Sequence, residues 1–441
     1  MTFNNWKELC IGGNKLKRLV RVSDGLVLFE LPSGPDYSEP FWVQGDGVTA
    51  SSRLTFKATV DPSTLSPILM SYDKKSWTPI EWTKEYSDID GDYWMSLLSN
   101  NKDSRKRYLM RDSEVPIGFG SDAGIYMDST AYTSKPSFKL GGNVNSLLCK
   151  NFSTLTDISG LDKCFYNAID AYLVTNIDEL LLPSKQVGLS CYDIFAAYGY
   201  STGTNYLSSA RFTIDVEDIP AYGCYKMLQY NKMLVNGPKF TKLKSIGNYG
   251  LADAFQFCSS LSSVELPSTP ISVGLHGCEA AFSESGIKAV ENLSLSGIGQ
   301  YGCQGMFLSC ADLEKVDGLS AESLSTYALS GMFANCSSLT SVQDLYIDNS
   351  EDKNNTVSKC DSMFRNCKSL LSVGGMIKGL YGHRQLGYMF NSCKSLKDAS
   401  KLSIEINYGQ MYAQRMFYGC SELESMPVLL SGEQGTSNFK Y

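Results

Sequence analysis

The sequence predicts a mixed fold: an α/β solenoid of about ten short repeats over residues 149–441, preceded by an all-β sandwich at 36–148 and a short β segment at 1–35. Three observations predict it. One stretch recurs as GMFLSCADLEKV, GMFANCSSLTSV, SMFRNCKSLLSV, YMFNSCKSLKDA and RMFYGCSELESM, with Phe307, Phe333, Phe364, Phe390 and Phe417 separated by 26, 31, 26 and 27 residues. A period of that length is the mark of a stacked array. Ahead of the array, residues 41–148 carry strand-like alternation and four of the five tryptophans. The first 35 residues hold only short apolar runs broken by GGN and SDG, which are hairpin signals.

Within residues 1–35, Leu9, Ile11, Leu16, Leu19, Val22, Leu26 and Leu28 alternate with polar residues. A segment of this size has too little apolar surface for a core of its own. It reads either as the first strands of the next domain or as a docking module. In the second case Leu9, Ile11, Leu19 and Val22 are the side chains to be buried against another protein. SGPDYSEP, residues 33–40, reads as a linker.

In 36–148, LTFKATV, ILMSYD and WTPIEWTK alternate and are rich in β-branched and aromatic residues. DPS, DKKS and DGD supply turns. Trp42, Trp77, Trp82 and Trp94 fill a sandwich core in one reading and form a sugar-stacking platform in the other. Residues 143–150 hand over to the solenoid.

In the array, Phe is position zero: Phe255, Phe282, Phe307, Phe333, Phe364, Phe390 and Phe417. Cys follows at plus three, as Cys258, Cys310, Cys336, Cys367, Cys393 and Cys420, with Ser285 in that place after Phe282. Leu follows at plus six, and Val264, Val316, Val342 and Val373 at plus nine. Cys278, Cys303, Leu329, Cys360 and Leu386 lie four before. Positions minus four, zero and plus three share one helical face. Each unit therefore reads as a short helix, a turn and a short strand, unable to bury its apolar stripe except by stacking on its neighbours. Weaker copies at Cys164, Cys191–Phe195 and Cys224–Leu228 complete about ten units from residue 157 to 427. Insertions after Phe195 and at 348–355 read as loops on one face.

These residues carry a resemblance. The pattern F-x-x-C-x-x-L-x-x-V resembles the BspA-like leucine-rich repeat, and its Cys-rich form is similar to repeats of gut bacteria and their phages. The leader IGGNKLKRLVRVSDGLVLFE resembles a short segment of phage tail and fibre proteins, and residues 41–148 are similar to an Ig-like domain that precedes such repeats in Bacteroidales phage proteins. The resemblance implies a virion appendage, namely a tail fibre, head fibre or receptor-binding protein. It would be held to other virion proteins through its N-terminus, oligomeric (a trimer is one form), and would display the solenoid to a host-surface glycan or protein. It also implies thiols kept reduced during assembly in a reducing cytosol. A bacterial cell-surface adhesin is the alternative, and a polysaccharide depolymerase a third.

Composition sets limits on these classes. Apolar content of 43% with 19% charged residues favours a folded chain. A net charge of −7 argues against a nucleic-acid binder, which needs a basic stripe. No run approaches eighteen apolar residues, so no membrane insertion is expected. The start, MTFNNWKELCIGGNKLKRLV, lacks the apolar centre of a signal peptide, so ordinary export is not expected of a complete chain. Twelve of the fourteen cysteines belong to the repeats and read as buried free thiols. Cys303 and Cys310 would stand roughly 10 Å apart on a helix, beyond disulfide reach, whereas bridges between coils stay open. No C-x-x-C pair suggests zinc. His276 and His383 fall four coils apart, and Asp90 and Asp92 sit in a turn. No nucleophile elbow, phosphate loop or metalloprotease motif occurs. The expectation is a binding protein, not an enzyme, with no cofactor and no metal.

Overall fold

The computed structural model describes residues 10–11, 14–15, 18–20, 27–30, 38–45, 53–84, 93–98, 104–119, 125–130, 138–155, 174–183, 209–215, 217–232, 234–240, 242–350, 358–380, 385–406 and 413–431. The chain divides into two compact units, residues 1–36 and 37–441. The first holds two antiparallel hairpins, Cys10–Ile11 with Asn14–Lys15 and Arg18–Val20 with Val27–Glu30. Of the four expected docking residues, Ile11 and Leu19 lie in these strands, while Leu9 and Val22 fall outside the described residues.

The second unit opens with an all-β region. Arg53–Ala58 pairs antiparallel with Tyr93–Leu98 on one side and Ile125–Thr130 on the other. A second sheet runs through Thr78–Pro79, Ile68–Ser71, Arg107–Arg111, Trp42–Gly45 and Phe138–Asn143, all antiparallel. This sheet does not stop there. Phe138–Asn143 pairs in parallel with Val174–Pro183, and the parallel ladder continues through Ser209–Asp215 and Asn236–Phe240 to Ser263–Glu265. An Ig-like sandwich is a pair of sheets complete in itself; here one sheet is shared with the solenoid. Phe41, Val43, Leu109 and Leu140 lie with Phe56, Ala58 and Phe119 in a buried cluster that continues into the repeats. Arg111, 1% exposed, donates to the carbonyls of Leu147 and Ser66 at the junction, and burial pulls its pKa down to about 10.

The solenoid makes about seven turns in the described region. The units expected at Cys164 and Cys191–Phe195 lie outside the described residues, as do residues 351–357 of the expected insertion. Each coil has three runs. The coil of Phe307 takes a turn-rich run over residues 301–310, the short strand Lys315–Asp317 and the strand Ser320–Leu324. The strands stack in parallel on their equivalents in adjacent coils.

The expected helix in each repeat is absent: no α-helix occurs among the described residues, only the 3-10 turns Pro62–Thr64, Val144–Leu147 and Phe152–Thr154. The hydrogen bonds give the reason. In an α-helix every N–H donates four residues back. Here the N–H groups of Tyr301, Cys303, Gly305, Phe307 and Ser309 donate to the next coil, at Thr326, Ala328, Ser330, Met332 and Ala334, over 2.8–3.0 Å. The intervening Gly302, Gln304, Met306, Leu308 and Cys310 donate three residues back. Tyr301, Gly305 and Ser309 have positive φ, so the backbone turns once every four residues. A period of four and a period of 3.6 both bring minus four, zero and plus three inward over so short a run. Cys303, Phe307 and Cys310 are indeed all buried, together with Met306.

Candidate functional site

The inside of the turn run forms two columns. Phe255, Phe282, Phe307, Phe333, Phe364, Phe390 and Phe417 stack with centroids 5.1–5.5 Å apart and planes within 8° of parallel. Beside them run the plus-three thiols. Cys258 donates to the carbonyl of Leu228, Cys310 to Phe282, Cys336 to Phe307, Cys367 to Phe333, Cys393 to Phe364 and Cys420 to Phe390, over 3.0–3.1 Å. The thiol is thus a small apolar group that also caps a carbonyl of the preceding coil. Burial pushes Cys310 up to about 11 and Cys360 and Cys420 to about 12. Cys303 is held well above its usual range by contact with Cys278 and by burial. Thiols in that state carry negligible thiolate at neutral pH and are poor nucleophiles.

Outside the same run stands a second column that the repeat pattern did not disclose. Tyr222, Tyr249, His276, Tyr301 and Tyr327 stack at 4.7–5.2 Å. All have positive φ. Glycines make room: a Cβ on Gly247, Gly274 or Gly299 would lie 2.6–2.9 Å from backbone of the preceding coil. The signal was present as G-x-aromatic-G in GNYG, GLHG and GQYG. His276 bonds Glu279 through Nδ1 at 2.6 Å. Nearby, burial followed by the Glu279 charge raises the Asp253 carboxyl to about 6 against the opposing pull of Lys226. His276 is therefore a rung of this column; His383, Asp90 and Asp92 lie outside the described residues. Of the tryptophans, Trp42 is buried and Trp77 and Trp82 are half-buried.

The short-strand run carries the residues that change most from coil to coil: EKVDG, TSVQD, LSVGG and KDASK. Its ladder is continuous from Ala289–Glu291 through Lys315–Asp317 to Ser341–Asp348. Between Ser263–Glu265 and Ala289–Glu291 it is broken. Among the described residues the former pairs only with Asn236–Phe240 and the latter only with Lys315–Asp317, and the two stand farther apart than neighbours in a ladder. The cause is local chain length. Seven residues lead from Val264 to Ile271 through Pro267 and Pro270, where five lead from Val290 to Leu295 and from Val316 to Ala321. Val290 also comes eight residues after Phe282, where Val264 and Val316 come nine after Phe255 and Phe307. A longer corner and a shortened coil thus meet at this point. They leave a cleft of about 340 Å³ floored by Phe282, Phe307 and Ile287. Lys239–Glu265 and Lys315–Glu291 ion pairs flank its open end. Lys288, exposed and without an ion-pair partner among the described residues, stands at the closed end, where its N–H still reaches Ser262 O at 3.4 Å.

Among the described residues no cluster of three metal-ligating side chains occurs, and no helix is long and apolar enough to cross a membrane.

Comparison with known proteins places the repeats. Residues 217–370 match the BspA type leucine rich repeat region in six copies. Over those residues the solenoid is of that leucine-rich repeat type. Among solved structures, a leucine-rich repeat protein from Bacteroides ovatus aligns at 17% identity over 58% of this chain and 78% of that one, with a TM-score of 0.22. No curated protein matches the chain.

Proposed function

We propose that the protein is a recognition module that acts by binding, without catalysis, and that it serves on a phage virion as a tail fibre, head fibre or receptor-binding appendage. One observation supports the binding role: an inner frame of Phe and Cys columns, interrupted only at Ser285 among its plus-three positions from Phe255 to Phe417, carries an outer short-strand run whose residues differ from coil to coil. A regular surface on a constant frame can change what it binds without losing its fold. The partner is a host-surface molecule, a glycan first and a protein second. Residues 1–35 hold the protein, as an oligomer, to other virion proteins. The virion reading rests on the resemblance of the leader and of the Ig-like region, and a bacterial surface adhesin shares the solenoid's argument.

Deleting residues 1–36 tests the attachment. Loss of the protein from purified particles, with residues 37–441 still folded, is the expected result. Incorporation undiminished by the deletion defeats the docking role. Residues 37–441, tethered as an artificial trimer to supply avidity, are expected to bind host cells and compete with infection. Absence of cell binding reduces the solenoid to a spacer.

A further inference from the structure

We infer that the cleft between Ser263–Glu265 and Ala289–Glu291 receives the carboxy-terminal residues of an extended peptide, which completes the interrupted ladder. This proposal does not depend on the host-recognition reading.

Three observations converge. The first is the nature of the gap. Coils 255 and 282 are in register on both other runs: Phe255 and Phe282 stack at 5.1 Å, and Ile271 and Ser272 pair with Leu295 and Ser296. Only the short-strand run opens, so two strand edges face one another across the cleft, each paired on its far side alone. Edges of this kind present a row of main-chain donors and acceptors that an added strand satisfies. Neighbouring strands lie about 4.8 Å apart, so a gap with one strand missing spans roughly 9.6 Å. The two edges stand farther apart than paired neighbours and diverge from the Lys288–Ser262 bond.

The second observation is the floor. Phe282, Phe307 and Ile287 lie at the base. Alternate side chains of an inserted strand point inward, so apolar residues at every second position of the peptide meet this base.

The third is the charge placement. The cleft is closed at Ser262 and Lys288, where one hydrogen bond joins the coils, and it opens toward Pro267 and Asn292. Lys288 is the cation at the closed end, exposed, and unlike Lys239 and Lys315 it has no ion pair among the described residues. A peptide entering from the open end brings its terminus to that lysine. A free carboxylate there gains a charge-assisted contact, and an amino terminus is repelled. The peptide then runs opposite to both flanking strands, and its length inside the cleft is about three residues.

The test uses the full chain and a bead-displayed random pentapeptide library with free carboxy termini, beside the same library amidated. The expected result is enrichment from the free-acid library only, with apolar residues at alternate positions. Lys288→Ala should weaken the selected peptides about tenfold with an unchanged melting temperature. Deleting Pro267 and Ser268, which restores the five-residue corner, should abolish binding while the solenoid stays folded by circular dichroism. Equal enrichment of amidated peptides, no enriched peptide, or Lys288→Ala binding unchanged overturns the proposal. So does Lys288-dependent binding of an oligogalacturonate in the absence of any peptide binder, which assigns the cleft to acidic glycans.

Discussion

The same turn run builds two columns of stacked rings, one inside the solenoid and one outside, and they differ in how far they persist. The inner column holds Phe on seven successive rungs, from Phe255 to Phe417. The outer one runs from Tyr222 to Tyr327, admits His276 and then gives way to Ser358, which occupies the equivalent place before Phe364. The rung spacing is the same, so stacking geometry alone does not preserve a ring. What preserves it is the closed volume around it: Phe333 is fully buried, whereas Tyr301 is half-buried and water can replace it.

That comparison makes ordered predictions. Phe333→Ala is expected to cost about 3–5 kcal/mol in denaturant unfolding, as a large core truncation. A loss below 1 kcal/mol would place the inner column on the same footing as the outer. Cys336→Ala removes the thiol that caps the Phe307 carbonyl. It should cost about 1–2 kcal/mol, since that carbonyl keeps the Cys310 N–H as a second donor. In the folded wild type this thiol should resist a thiolate-directed reagent that labels it at once in denaturant; labelling at equal rates refutes its shielding. Tyr301→Ala, taken from the middle of the outer column, should cost about 1 kcal/mol. A loss matching that of Phe333→Ala would break the distinction.

The smallest effect is a matter of sign. Asp253 has its folded pKa raised from 3.8 to about 6, so the folded state holds its proton more tightly than the unfolded chain. Its contribution is complete below pH 4 and is lost as pH rises through 6. Asp253→Asn should therefore be more stable than wild type at pH 8, by about 1 kcal/mol once partial solvent access is allowed for, and equal to it near pH 4. A variant less stable than wild type at pH 8 contradicts the raised carboxyl.

What was legible in the sequence follows the same divide. The register of Phe333, Cys336, Leu339 and Val342 could be read because each is enclosed, and enclosure restricts residue type. The sequence suggests a helix because two turns of period four cannot be told from period 3.6 by inward positions alone. The distinguishing evidence lay in the residues at positive φ, such as Gly305, Gly331 and Asn335, which point to turns. The cleft left a fainter trace, one residue missing between Phe282 and Val290 and two extra between Val264 and Ile271. Such length changes matter only once the strands they displace are known. The continuous sheet across residue 148 had no trace at all, because the pairing of Phe138–Asn143 with Val174–Pro183 depends on two distant segments meeting.

The turn run has a mechanical consequence. Half of its N–H groups cross from coil to coil, and so do the bonds of both strand ladders, so almost every crossing bond lies along the solenoid axis. A pull along that axis loads these bonds in tension, one interface after another, instead of shearing many together. Coils should peel away singly from the weaker end, each releasing some 26 residues of slack, and rewind when tension falls. A protein held at one end and bound at the other would then yield under load by lengthening before its grip is broken.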